Sequence, residues 1–131
     1  MKFTINDKNI TGELGYGKLP VSPNDKAGYR PMELFVSSLA GCSGTVLWNI
    51  LQKKRLGVKK IEAEVSVSRN PEEANRINTL TILAEVHADQ ALSKVQAAKV
   101  AELTVKNCGM IQSVIGSIDI SYEVTFTGDS D

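Results

Sequence analysis

The chain has 131 residues, 42% of them hydrophobic and 23% charged, with 15 basic residues balanced by 15 acidic ones. That length fits a single domain over residues 1–131, with a core large enough to stand without cross-links. A formal net charge of zero argues against nucleic acid as a partner, because phosphate binding takes an excess of Lys and Arg. No apolar run reads as reaching the ~20 residues of a bilayer span, and Met1–Asn6 lacks the apolar stretch of a secretory signal. No membrane partner and a cytoplasmic location are therefore expected. Two cysteines are too few for a secreted disulfide scaffold.

Phe3 and Ile5 alternate with polar residues, and Asn6–Asn9 offers a turn before Ile10–Leu14, so a short hairpin is expected first. Gly15–Gly28, rich in Gly and Pro, reads as a loop. Pro31–Arg55 then reads as a long helix: Pro31 suits the first helical position and Glu33 the first turn. Lys53, Lys54 and Arg55 suit the last turn, and Gly57 the stop beyond it. Leu34, Phe35, Val36, Leu39, Val46, Leu47, Ile50 and Leu51 surround most of this helix, the pattern of a buried rather than a surface helix. One sheet covers only one side of such a helix, so a second chain is expected on the other.

Ile61, Ala63, Val65 and Val67 alternate with polar residues, as do Leu80, Ile82, Ala84 and Val86, and again Ile118, Ile120, Tyr122, Val124 and Phe126. Each set predicts a strand buried on one face, as in antiparallel sheets. Asn70–Asn75 is the loop joining the first two, and Ser93 with Gln96 forms a capping box opening a helix to about Asn107. The expected class is α+β in the order ββ-α-ββ-α-β, an antiparallel sheet packed on a long buried helix and a second helix.

Candidate chemistry centres on Ser37-Ser38-Leu39-Ala40-Gly41-Cys42-Ser43-Gly44-Thr45 within the long helix. Each interior glycine costs a helix roughly 0.5–1 kcal/mol relative to alanine. Gly41 and Gly44 beside Cys42 therefore suggest a close approach by another backbone or a substrate, or a bend. Cys42 taken alone reads equally as a small buried side chain. Cys108 lies in Asn107-Cys108-Gly109-Met110, where Gly109–Val114 has room for another helical turn whose unpaired N–H groups would acidify a thiol. Whether the two cysteines lie within disulfide reach is not readable from spacing. His87, the only histidine, reads as a surface or edge residue, and no motif spacing joins it to Cys42 and Cys108 as a zinc site. No metal or cofactor is expected.

Gly28-Tyr29-Arg30-Pro31-Met32-Glu33-Leu34-Phe35, Leu39-Ala40-Gly41-Cys42 and the later helix leading into Asn107-Cys108-Gly109-Met110 resemble the OsmC/Ohr family over nearly the whole chain. The resemblance implies an intertwined homodimer with the long helix at its centre, reducing organic hydroperoxides at the interface in defence against oxidative stress. It makes Cys42 the peroxidatic thiol and Cys108 the resolving one, joined as a disulfide that a dithiol reductant reopens. In the peroxidase branch an arginine held by a glutamate at the start of the long helix activates the thiol. The candidates here are Arg30 and Glu33. The pattern departs in that Met32, not a glutamate, follows Pro31, and that residues 1–29 contain no arginine. Arg30 also precedes Cys42 by about 18 Å along an unbroken helix, so it would act across the dimer or through a break near Gly41–Gly44. Cys42 lies about three turns inside its own helix, too deep for that helix's dipole to lower its pKa, so activation is expected to require a cation.

Two further readings compete with the peroxidase. One is a non-catalytic dimer that binds a small apolar or thiol-bearing ligand among Met32, Phe35 and Met110; the other is a redox sensor that forms the disulfide without turnover. Loss of peroxide consumption on Cys42→Ser separates the first reading from both.

Overall fold

The period-two segments of the C-terminal half are strands, and the computed structural model describes residues 1–127. The elements are β1 (Lys2–Ile5), β2 (Ile10–Glu13), β3 (Lys18–Val21), α1 (Pro31–Gln52), β4 (Val58–Asn70), β5 (Arg76–Ala88), α2 (Lys94–Asn107), α3 (Gly109–Val114) and β6 (Asp119–Phe126). They fall into two compact units, Met1–Ser38 and a second beginning at Leu39. The class is α+β, as the alternation predicts, with a third N-terminal strand and a third helix added.

In the first unit β1, β2 and β3 form an antiparallel sheet in chain order. The Asn6 side chain closes the β1–β2 turn by accepting the backbone N–H groups of Lys8 and Asn9 at 2.9 and 3.0 Å. β3 lies where a loop is expected. Pro20 hides it in the sequence, yet β3 is an edge strand, where a missing donor is tolerated. Phe3 and Ile5 stand exposed on β1.

In the second unit β5 is the central strand of a sheet ordered β4-β5-β6. β4 pairs antiparallel to it, with Ile61 opposite Val86 and Ala63 opposite Ala84. β6 pairs parallel to it, with Ile82 opposite Tyr122, so the sheet is mixed rather than wholly antiparallel. A parallel neighbour needs a crossover connection, and α2 with α3 supplies it. The Ser93 capping box opens α2 as predicted, Ser93 Oγ accepting from Gln96 N at 3.2 Å and Gln96 Oε1 from Ser93 N at 3.1 Å.

The core gathers Leu47, Leu51 and Leu56 with Ala84, Val86, Ala97, Val100, Ala101, Val124 and Phe126. α1 ends at Gln52, so Lys53, Lys54 and Arg55 lie in the turn beyond it rather than in its last turn. Gly57 then takes a φ of +69°, and a Cβ there would collide with the Asp89 carboxylate.

α1 bears on three expectations. The chain itself buries only the stripe Leu39, Ser43, Leu47 and Leu51, not the whole circumference. The helix runs unbroken through Gly41 and Gly44, and a Cβ at either would meet nothing beyond its own helix within 4 Å, so no other element among the described residues approaches there. Finally, the helix is 22 residues long and its most apolar 18-residue stretch has a mean hydropathy of 1.5, enough to cross a bilayer by length and composition. The serines and glycines that interrupt it to the eye are outweighed by its Leu, Val, Ile and Phe residues.

Candidate active site

Cys42 is half-buried on α1, and Cys108 is wholly buried at the junction of α2 and α3. The junction is a local construction. Asn107 Nδ2 donates to Leu103 O at 2.8 Å, and Val105 O takes up both Cys108 N at 3.4 Å and Gln112 Nε2 at 2.9 Å. These bonds satisfy the last carbonyls of α2, which have no partner within the helix. Cys108 itself is extended (φ −90°, ψ 106°), ending α2 and starting α3 in a single residue. The short helix expected at Gly109–Val114 is therefore present.

That geometry brings the cysteines to within 3.2 Å of each other, both as free thiols. It also aims the first N–H groups of α3 at Cys42. Its thiol is held below the ordinary range, chiefly by the Met110 N–H, then by the Cys108 thiol, with the Gly109 N–H adding to them and burial opposing. The same surroundings act on Cys108 in the other direction. Burial, the largest cause, pushes its pKa up; the Ile111 N–H lowers it, the neighbouring Cys42 raises it again, and the Met110 N–H adds the smallest lowering. One thiol is thus prepared to ionise while the other keeps its proton and donates it in a hydrogen bond. Environments that separate two like groups assign them different roles.

The sequence reading is corrected at two points. The α3 terminus acidifies Cys42, from the other helix, and not Cys108, which precedes it in the chain. Activation also does not rest on a cation alone, because backbone N–H groups of the second unit already lower the Cys42 pKa. Arg30 and Glu33 lie in the first unit and pair with each other, Arg30 Nε to Glu33 Oε1 at 3.3 Å, with both side chains about half exposed.

Two residues escaped the sequence reading. Ser43 is fully buried beside Cys42, and its hydroxyl hydrogen-bonds the Tyr122 phenol from β6. Burial pushes the Tyr122 pKa up against a smaller lowering by the Ser43 hydroxyl, so Tyr122 remains neutral. A signal for Ser43 was present: it falls on the Leu39–Leu47–Leu51 stripe, and a polar group on a buried stripe needs a partner. A hollow of about 420 Å³ lies along this flank of α1, lined by Ser43, Leu47, Trp48, Ile61, Ile82 and Tyr122 among others.

The backbone contribution can be removed without deleting a side chain. Gly109→Pro suits the site, because Pro is favoured at the first helical position, Cys108 is extended as a residue before proline must be, and a Cβ meets nothing within 4 Å. A hydrogen bond to an ionised group contributes about 1.5–3 kcal/mol. Losing the Gly109 donor raises the Cys42 pKa, so the variant is expected to hold about tenfold fewer thiolates at neutral pH. The difference should vanish in alkali, where both proteins are ionised. The pH profile of Cys42 alkylation checks this, and an unshifted profile would remove the Gly109 N–H from the account of activation, leaving that of Met110.

The family described as OsmC-like protein matches residues 23–123 of the chain. Among solved structures, a hypothetical protein from Aquifex aeolicus VF5 is 22% identical with a TM-score of 0.80, over 95% of this chain and 94% of that one. An OsmC-like protein from Mycoplasma pneumoniae is 16% identical with a TM-score of 0.80, over 95% and 94% of the two chains. An organic hydroperoxide resistance protein of Bacillus subtilis is 20% identical with a TM-score of 0.64, over 95% of each chain. No curated protein sequence matches.

Proposed function

Because the chain belongs to the OsmC-like protein family, we propose that it is a thiol-dependent reductase of organic hydroperoxides in which Cys42 attacks and Cys108 resolves. The observation that carries this reading is the contact of the two thiols at 3.2 Å, with α3 N–H groups lowering the Cys42 pKa while burial keeps that of Cys108 raised.

The Cys42 thiolate attacks the outer peroxide oxygen. The O–O bond breaks, the alkoxide leaves and takes up a proton as the alcohol, and Cys42 becomes a sulfenic acid. Cys108 then displaces that hydroxyl, its proton departing in the water released, and an S–S bond forms. A dithiol reductant opens the bond by exchange and supplies the two electrons that the hydroperoxide consumed. Neutral Tyr122, through Ser43, holds the polar side of the pair. Arg30 of the second copy, paired there with Glu33, is the cation assigned to the charge developing on the peroxide, as in the peroxidase branch of the family.

The chain is read as one functional domain acting as a homodimer with α1 at its centre, not in a membrane. Three features support a second copy: the uncovered sides of α1, the half-exposed inner row of β4, and the exposed Phe3, Ile5 and Trp48. Sedimentation is expected to give twice the 14.2 kDa chain mass, and a single-chain mass would overturn this part. A reducing cytoplasm suits a cycle that rests with both thiols free.

The test is stopped-flow oxidation of the reduced protein by cumene hydroperoxide, followed by intact mass. Rapid loss of two hydrogens per chain is expected. Oxidation no faster than that of a free thiol would overturn the reading and favour a ligand-binding dimer.

A further inference from the structure

The outer face of the β4-β5-β6 sheet carries a second cluster that the thiol chemistry does not use. Glu62 on β4 stands directly opposite Glu85 on β5, and His87 follows two residues along the same face. Like charges directly opposed on a sheet destabilise it, so the pair calls for a cation between its members. His87 Nε2 lies 2.8 Å from Glu62 Oε1 and 3.2 Å from Glu85 Oε1. Nε2 is nevertheless sealed from solvent without a hydrogen-bond partner: at these distances the direction, not the separation, is wrong for a ring N–H to donate.

We propose that Glu62, Glu85 and His87 form a binding site for a first-row divalent metal ion such as zinc. One ion about 2.0–2.2 Å from each donor places tetrahedral neighbours roughly 3.3–3.6 Å apart, so the donors found at 2.8 and 3.2 Å have to spread by only a few tenths of an ångström to take it. The three donor atoms all lie within 4.8 Å of one another, and both glutamates are more than half exposed, so closing the set takes only side-chain rotation. An imidazole nitrogen with two carboxylates favours Zn²⁺ and its transition-metal neighbours over Mg²⁺ or Ca²⁺, which prefer all-oxygen sites. A hollow of about 310 Å³ bounded by Glu62, Glu64, Leu83, Glu85 and Thr125 leaves room for the waters that complete the coordination. Lys60 Nζ, 3.6 Å from Glu62 Oε1, is the competing cation, and the ion displaces it.

His87 is the only histidine in the chain, so its ring signals in proton NMR need no assignment and report this site whatever the thiols bind. Titration of the full wild-type chain with Zn²⁺ at fixed pH is expected to move those signals to saturation, whereas Mg²⁺ leaves them in place. Glu62→Gln and Glu85→Gln, both on the exposed face, should each weaken the response about tenfold or more. Ring signals that stay unmoved at a large excess of Zn²⁺, or that move equally in both glutamine variants, would overturn the site. Neither outcome depends on whether the protein reduces hydroperoxides.

Discussion

Serine in place of Cys42 is expected to bring hydroperoxide consumption down to that of buffer, a loss of about a thousandfold or more, as when other enzymes lose their nucleophile. The N–H groups of Gly109 and Met110 stabilise a thiolate, but an alcohol ionises far too weakly for two such donors to make it an attacking anion at neutral pH. Oxygen also lacks the polarisable lone pairs with which sulfur attacks a peroxide bond. The exchange removes little volume at a half-buried position, so thermal stability should change by no more than about 1 kcal/mol. A peroxide assay alongside a melting curve separates lost chemistry from lost fold. Unchanged consumption in a folded variant would end the peroxidase reading.

What the sequence could reveal follows from how local each feature is. The strands from Val58 to Ala88 and the Ser93 capping box depend on neighbours in the chain, and they form as the pattern predicts. The direction of β6 was not legible, because Ile120, Tyr122, Val124 and Phe126 would alternate identically in a parallel or an antiparallel strand. Only the path of α2 and α3 sets that direction. Nor does composition show how much of α1 is covered: an apolar circumference demands burial, yet this chain supplies it to one stripe.

The site divides in the same way. Cys42 and Cys108 stood out by residue type and by family resemblance, and the helical turn at Gly109–Val114 was foreseeable. Their contact was not, since it depends on how α3 is set against α1, a long-range relation that no local spacing encodes. The same ignorance made a cation look indispensable. Seen from α1 alone, Cys42 lies too deep for its own helix dipole to matter, and the donors that reach it come from elsewhere in the fold.

Cys108→Ser is expected to change the product rather than the first step. In the wild type the thiols at 3.2 Å have only to close to the ~2.05 Å of an S–S bond, so the sulfenic acid on Cys42 is captured as it forms. Serine keeps a hydroxyl donor toward Cys42 and leaves the Met110 and Gly109 N–H groups in place, so the first oxidation should stay within about tenfold of the wild-type rate. The oxygen then has no partner to displace it. Intact mass should show one added oxygen per chain instead of two lost hydrogens, and continued exposure should drive Cys42 on to the sulfinic acid, which a dithiol does not reverse. Sustained turnover should therefore collapse after about two equivalents of hydroperoxide, one for the sulfenic and one for the sulfinic acid. A variant that keeps full turnover and never gains oxygen would remove Cys108 from the resolving role, while leaving Cys42 as the thiol that meets the peroxide.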